Sequence, residues 1–192
     1  MICSSISKRT FDMILSVCLL VLLVPIFATI AWLSYRESGN WKTILFLQPR
    51  VGLHGRLFRM LKFRSMVIDA AEKGKYYTVR DDPRITRLGR FLRKYSLDEL
   101  PQLINVLKGE MSLVGPRPDL PVQQQLYAPE EWALRCSVRP GITGLAQATL
   151  RSGATEEERK RCDLEYAKKP NLGLDLKIML LTINQVLRIG SY

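Results

Sequence analysis

One histidine, His54, and four cysteines are all the imidazole and thiol that this 192-residue chain offers to a metal. His54 lies between Gly52 and Gly55, the setting of a solvated turn residue rather than a general base. Cys3, Cys18, Cys136 and Cys162 have neither the paired spacing of a zinc site nor that of a disulfide framework, which points to a reducing compartment. Internal repeats and low-complexity tracts are absent. Acid is the scarcer charge, with 18 Asp and Glu against 29 Lys and Arg, a formal net charge of +11. That excess calls for an anionic partner: nucleic acid, a membrane surface or a phosphorylated substrate. A hydrophobic content of 47% argues against disorder, and the length fits one domain plus an appendage.

What the chain does have is a long apolar run. Residues 13–35, MILSVCLLVLLVPIFATIAWLSY, carry no charge. As a straight helix they would measure about 34 Å at roughly 1.5 Å per residue, enough for a bilayer core of about 30 Å. No small-residue cleavage site follows, which argues against a signal peptide. Lys8 and Arg9 precede the run; Arg36, Lys42 and Arg50 follow it. The positive-inside rule therefore assigns both flanks to the cytoplasm. Pro25 removes a backbone hydrogen bond in mid-segment and bends the helix. A re-entrant helix that leaves by the face it entered satisfies both facts; a single span with a proline kink is the alternative.

Beyond the run, WKTILFLQPRVG and RLFRMLKFRSM read as extended pieces around a Gly52/Gly55 turn. VIDAAEKG reads as a short helix ending at Gly74. RITRLGRFLRKY sets Ile85, Leu88, Leu92 and Tyr95 on one helical face, with arginines around the rest. Leu100, Leu103, Ile104 and Leu107 mark another helix, stopped by Gly109. Residues 111–153, rich in Gly and Pro, are expected as ordered loop around a short helix near 130–136. Thr155 and Glu158 form a capping box that opens a charged helix to Lys169. The final stretch, LDLKIMLLTINQVLRI, is an apolar helix too broken by Asp175, Lys177 and Asn184 to span a membrane. It suits a membrane interface or a core equally.

Residues 50–94 hold 13 Lys and Arg against 4 Asp and Glu, most of the charge excess. Such a belt can be merely a solvated face. Placed directly after a membrane segment, it would also favour anionic lipid by about 1 kcal/mol per residue, and arginine forks suit phosphates. Nucleic acid is the weaker partner, since no recognition motif appears. Asp81 and Asp82 lack the spacing of a D-x-D metal motif and read as turn residues before Pro83.

Directly after the belt stand two adjacent carboxylates, Asp98 and Glu99. Ser96-Leu97-Asp98-Glu99 matches an S-x-x-E capping box, and Asp98 could itself be an N-cap with Pro101 at N3. The same place suits phosphate chemistry. A helix N-terminus offers free N–H groups, and neighbouring arginines would keep Asp98 ionised. One carboxylate could then attack phosphorus while the other holds magnesium.

Several stretches together resemble one family. KRTFD before the apolar run, QPRVG, LFRMLKFRSM, the block DPRITRLGRFLRKYSLDELPQLINVLKGEMSLVGPRP and RPGITGLAQ are similar to the bacterial sugar transferases, monotopic phosphoglycosyl transferases of the small single-domain type. The resemblance covers residues 8–187. It implies a helix-dominated α+β fold: a re-entrant membrane helix (residues 1–36) bent at Pro25, packed on a cytoplasmic catalytic domain (37–192) with interfacial amphipathic helices. It implies transfer of a sugar 1-phosphate from a UDP-sugar to polyprenyl (undecaprenyl) phosphate, with release of UMP, at the bacterial inner membrane. The reaction would use Mg²⁺ and run through a covalent intermediate. By the same resemblance Asp98 would be the nucleophile and Glu99 the magnesium ligand. Lys62, Arg64, Arg93, Arg117, Arg139 and Asp163 would contact substrate. Membrane lipid is an implied partner, nucleic acid is not, and a homodimer stays open. Three positions depart from the family pattern: Val24 in place of serine before the proline, Ala148-Thr149-Leu150-Arg151 after GLAQ, and Lys169-Pro170-Asn171 where a tryptophan is usual. An inactive nucleotide-sugar binder of the same fold is the alternative function.

Overall fold

The structure, a computed structural model, describes residues 2–70, 82–150 and 154–189. It is a helix-dominated α+β fold with two small two-stranded sheets. The long apolar run forms two helices, α1 (Ile2–Leu22) and α2 (Val24–Ser38). Pro25 cannot donate to the carbonyl one turn back, and the axes of the pair diverge by 60° at this break. Thr29 Oγ returns a 2.8 Å hydrogen bond to the Pro25 carbonyl. Among the described residues no single helix is long and apolar enough to cross a membrane; the bent pair together is, by length and composition.

One side of α1 belongs to the main core. Phe11, Leu15, Leu19 and Leu20 pack on Leu103, Val106, Met111 and Ile178. The other side leaves Met13, Ile14, Val17 and Val21 exposed, and α2 adds Val24, Ile26, Trp32 and Leu33. Apolar exposure on that scale marks an interaction face rather than a water-facing one. Polar contacts fix α1 in place. Lys8 Nζ donates to Asp175 at 2.6 Å and to the Val114 carbonyl at 3.1 Å. Arg9 donates to the carbonyls of Val106 and Leu107. Asp12 accepts from Ser112 Oγ at 2.8 Å and from the Leu113 amide.

β1 (Leu45–Val51) and β2 (Leu57–Phe63) form the expected hairpin around the glycine turn, in a register that pairs Leu45 with Phe63. His54 sits exposed in that turn with φ of 54°. α3 (Arg87–Lys94) is capped by Thr86, whose hydroxyl accepts from the Gly89 amide at 2.9 Å. A Cβ on Gly89 would lie 2.0 Å from the Ser65 carbonyl oxygen, so only glycine lets α3 press on the segment after β2. α4 (Gln102–Lys108) ends at Gly109, whose φ of 82° is the left-handed cap expected there.

Residues 111–153 hold far more regular structure than a loop around one helix. β3 (Ser112–Val114) pairs in parallel with β4 (Gly141–Thr143), a 3₁₀ segment spans Pro121–Leu126, and α5 (Pro129–Arg135) and α6 (Leu145–Thr149) follow their own turns. Strands of three residues carry no readable alternation. The close pairing explains two glycines: a Cβ on Gly115 would meet the Arg139 carbonyl at 2.3 Å, and one on Gly141 the Gly115 amide at 2.1 Å.

α7 (Glu156–Lys168) opens on the Thr155–Glu158 capping box, as read. α8 (Leu172–Ile189) packs into the core as one of the two expected roles has it, with Asp175 and Ile178 buried, while Leu176, Leu180 and Ile183 are exposed. The helix expected at 67–74 begins as a turn over 68–70, and its remainder, with Lys73, Lys75, Arg80 and Asp81, lies outside the described residues, as does Arg151. Asp82 is the turn residue anticipated, accepting from the Arg84 amide and guanidinium.

Candidate active site

Ser96 adopts a left-handed φ of 56°, unusual for a non-glycine residue. The chain then turns once as a 3₁₀ helix, Leu97–Glu99, before α4 begins at Gln102 with Pro101 as its N-cap. Neither cap reading of the acidic pair survives. Ser96 makes no side-chain capping bond, and Asp98 lies too early to cap α4. The pair is held by a strained turn instead, a cost that clusters at functional sites.

Asp98 is 7% exposed, yet its carboxylate makes no hydrogen bond among the described residues. Burial raises its pKa first and the adjacent Glu99 raises it further, outweighing Lys62, Arg93 and Arg117. The arginines expected to keep this carboxylate ionised do pull its pKa down, but desolvation outweighs them. Glu99 is the opposite case. Its Oε1 accepts from Lys62 at 2.8 Å and from Arg117 at 2.7 Å. Burial works against its ionisation, but these two cations outweigh burial and bring its carboxyl down to about 2.

A cavity of about 620 Å³ opens over the pair, and β2, α3 and the loop after β3 each supply a wall. Lys62, Arg64, Arg93 and Arg117 all line it. Arg64 donates to the Thr43 carbonyl and stacks over Phe46; Arg93 donates to Ser65 Oγ. Arg139 stands apart: it donates to the Gly109 carbonyl at the end of α4 and lines no part of the cavity. Asp163 lies in a neighbouring cavity of about 670 Å³ that shares Arg50 and Arg117 with the first. There Arg135, 4% exposed, bridges Asp119 at 3.1 Å and Asp163 at 3.0 Å. Burial outweighs that partner and raises the Asp163 carboxyl to about 6.

Sequence reasoning missed Arg50, Asp119, Tyr127, Arg135 and Gln147. The GPRP and RPGITG motifs flank some of them, but nothing in the spacing reveals that residues 50, 117 and 163 meet. Arg50 is lowered to about 10 by burial and by the repulsion of Arg117, and it remains a cation. Two repelling guanidinium groups on a shared wall form a place for an anion.

The acidic pair suits a magnesium ion. Among the described residues both hydrogen bonds to Glu99 fall on Oε1, and Asp98 accepts none. Mg²⁺ ordinarily takes one or two carboxylates and completes its shell with water and phosphate oxygens. Among the described residues no cluster of three or more His, Cys, Asp or Glu forms a dedicated metal cage.

Comparison with known proteins identifies the family. The family model for bacterial sugar transferases matches residues 3–189, so the chain belongs to that family. The undecaprenyl-phosphate glucose phosphotransferase of Komagataeibacter xylinus is 44% identical over 94% of this chain, which covers 36% of that protein. The undecaprenyl-phosphate galactose phosphotransferase of Salmonella typhimurium is 39% identical over 96% of the chain and 41% of its own length. An uncharacterized sugar transferase of Bacillus subtilis, EpsL, is 43% identical over 95% of the chain and 88% of its own length. The chain thus spans less than half of the first two relatives and most of the third.

Proposed function

We propose that this chain transfers a sugar 1-phosphate from a UDP-sugar to polyprenyl phosphate and releases UMP. The observation that carries this reading is Asp98: a buried carboxylate with no hydrogen bond among the described residues, on a strained turn, beside the cations Lys62, Arg93 and Arg117. A carboxylate stripped of solvent and partners is a better nucleophile than a hydrated one. An Asp98 oxygen attacks the phosphorus that bears the sugar, and the bond from that phosphorus to the bridging oxygen breaks. UMP leaves, and a phosphosugar remains esterified to Asp98. An oxygen of the polyprenyl phosphate then attacks the same phosphorus and returns Asp98 as a carboxylate. Lys62, Arg93 and Arg117 offset the negative charge gathered in both steps. Glu99 would hold Mg²⁺, which when bound supplies further neutralisation of the diphosphate. The bent helix pair seats its exposed apolar face in the bacterial inner membrane as a re-entrant anchor, bent at Pro25, with the catalytic domain on the cytoplasmic side.

The test incubates purified protein with Mg²⁺ and a panel of UDP-sugars, without acceptor, beside Asp98→Asn. UMP release and intact mass are followed. A phosphosugar adduct on the parent and none on the variant is expected. Transfer only when polyprenyl phosphate is added, without an adduct at any time, would replace the covalent path by a one-step reaction with Asp98 as base. UDP-sugar binding with no turnover under any condition would leave the inactive binder.

A further inference from the structure

The transferase reading uses only one of the two adjoining cavities. We infer that the second, bounded by Asp119, Tyr127, Gln147 and Asp163, holds the uridine of the donor, with Gln147 reading the base. This rests on the transferase reading and adds where the nucleoside lies and which side chain meets its base.

Three observations converge. First, the two cavities share Arg50 and Arg117, and Arg117 also holds Glu99. A diphosphate laid along these guanidinium groups reaches the acidic pair with its sugar-bearing end and the second cavity with the other. Second, the electrostatics of the cavities differ. Six cationic and two acidic side chains line the cavity over Asp98; four of each line the second. A neutral balance rich in carboxylates suits hydroxyls and an amide-bearing ring better than a second phosphate. Its volume of about 670 Å³ has room for a nucleoside.

Third, this cavity is bordered by polar groups that lack partners. Both polar atoms of the Gln147 amide are buried without a hydrogen bond among the described residues, and so is Asp163 Oδ1. Buried polar groups are normally satisfied, and those left over ask for a ligand. The Gln147 side chain lines the cavity, and its three flexible torsions allow the buried amide to turn into it when a ligand binds. A primary amide then offers a donor beside an acceptor, which pairs with the N3–H and O4 edge of uracil.

Binding, rather than turnover, tests the inference. The full chain in lipid nanodiscs is titrated with UMP and with a short polyprenyl phosphate; Gln147→Leu and Asp163→Asn are compared with the parent. Gln147→Leu replaces an unpaired buried amide by an apolar group and is expected to fold at least as well. Gln147→Leu should weaken UMP by about tenfold or more and leave the polyprenyl phosphate unchanged. UMP binding retained in both variants would place the nucleoside elsewhere and overturn the inference alone. Loss of polyprenyl phosphate binding with UMP intact would assign the cavity to the acceptor and overturn it equally. A parent that binds no UMP would remove the UDP-sugar reading, and this inference with it.

Discussion

The molecule buries its carboxylates in two contrasting ways. Beneath α1, Asp12 and Asp175 are enclosed and fully partnered: Asp12 by Ser112 and the Leu113 amide, Asp175 by Lys8 and the Tyr166 hydroxyl. Around the cavities, among the described residues, Asp98 has no hydrogen bond and Asp163 leaves one oxygen unpaired. Both regions pay for desolvation; the first recovers it fully in contacts within the chain, the second only in part, through Arg135 on Asp163. The contrast teaches where the fold is held together and where it is held ready: satisfied carboxylates clamp, unsatisfied ones wait for a substrate.

The strongest way to break this contrast is Asp98→Asn. Transfer should fall by at least about 10³-fold, as when a nucleophile is removed, measured as UMP release. The same change should raise the melting temperature at neutral pH. The pKa of Asp98 is raised on folding, so its ionised form weakens the fold. Stability tied to the protonated form is complete below the ordinary carboxylate range and is lost as pH rises through the higher folded value. The thermal advantage of the variant should therefore vanish in acid. A drop in melting temperature at pH 7 would place Asp98 among the clamps.

Lys8→Met tests the other region. It leaves Asp175, 1% exposed, without its cation, and loss of one partner of a buried pair costs about 3 kcal/mol. Thermal unfolding should report it, and Asp175→Asn in the same chain should restore part. Asp163→Asn sharpens the comparison by pH: with the parent carboxyl at about 6, the parent loses stability as pH rises from about 4 through 6. The variant should lack that slope while the rest of its stability profile is kept. The smallest effects separate two serines. Ser112→Ala removes a bond to Asp12 and should cost about 1 kcal/mol. Ser16→Ala removes a buried hydroxyl with no partner among the described residues and should be neutral or slightly stabilising. Equal losses in both would show that the hydroxyl of Ser16 is bonded after all.

What could be read from the chain follows from the range of the interactions. The hairpin, α3, α4 and the Thr155 cap rest on contacts within a few residues, and their signals stood in the spacing of Leu88, Leu92, Gly109 and Glu158. Asp98 and Glu99 were found by motif, but their setting was misjudged. A capping box and a strained 3₁₀ turn have the same letters, and only the φ of Ser96 tells them apart. The Asp12–Ser112 and Lys8–Asp175 bonds join residues 100 and 167 positions apart, beyond any periodicity. Arg139 was read as a substrate contact because RPGITG resembles a site motif; its guanidinium lies at the end of α4, on the Gly109 carbonyl, apart from the cavity over the acidic pair. Gln147 went unremarked since an amide has no charge to count.

The packing of α1 also bears on how this chain can be handled and how it can diversify. Phe11, Leu15, Leu19 and Leu20 fill the same interior as Leu103 and Ile178, so the helix is a structural part of the fold rather than a detachable extension. Deleting it would open a void of several side chains. Exchanging it for a different helix would require a matching inner face. The whole chain is thus the unit to purify, and in evolution the inner face of α1 and the core it fills are constrained to change together.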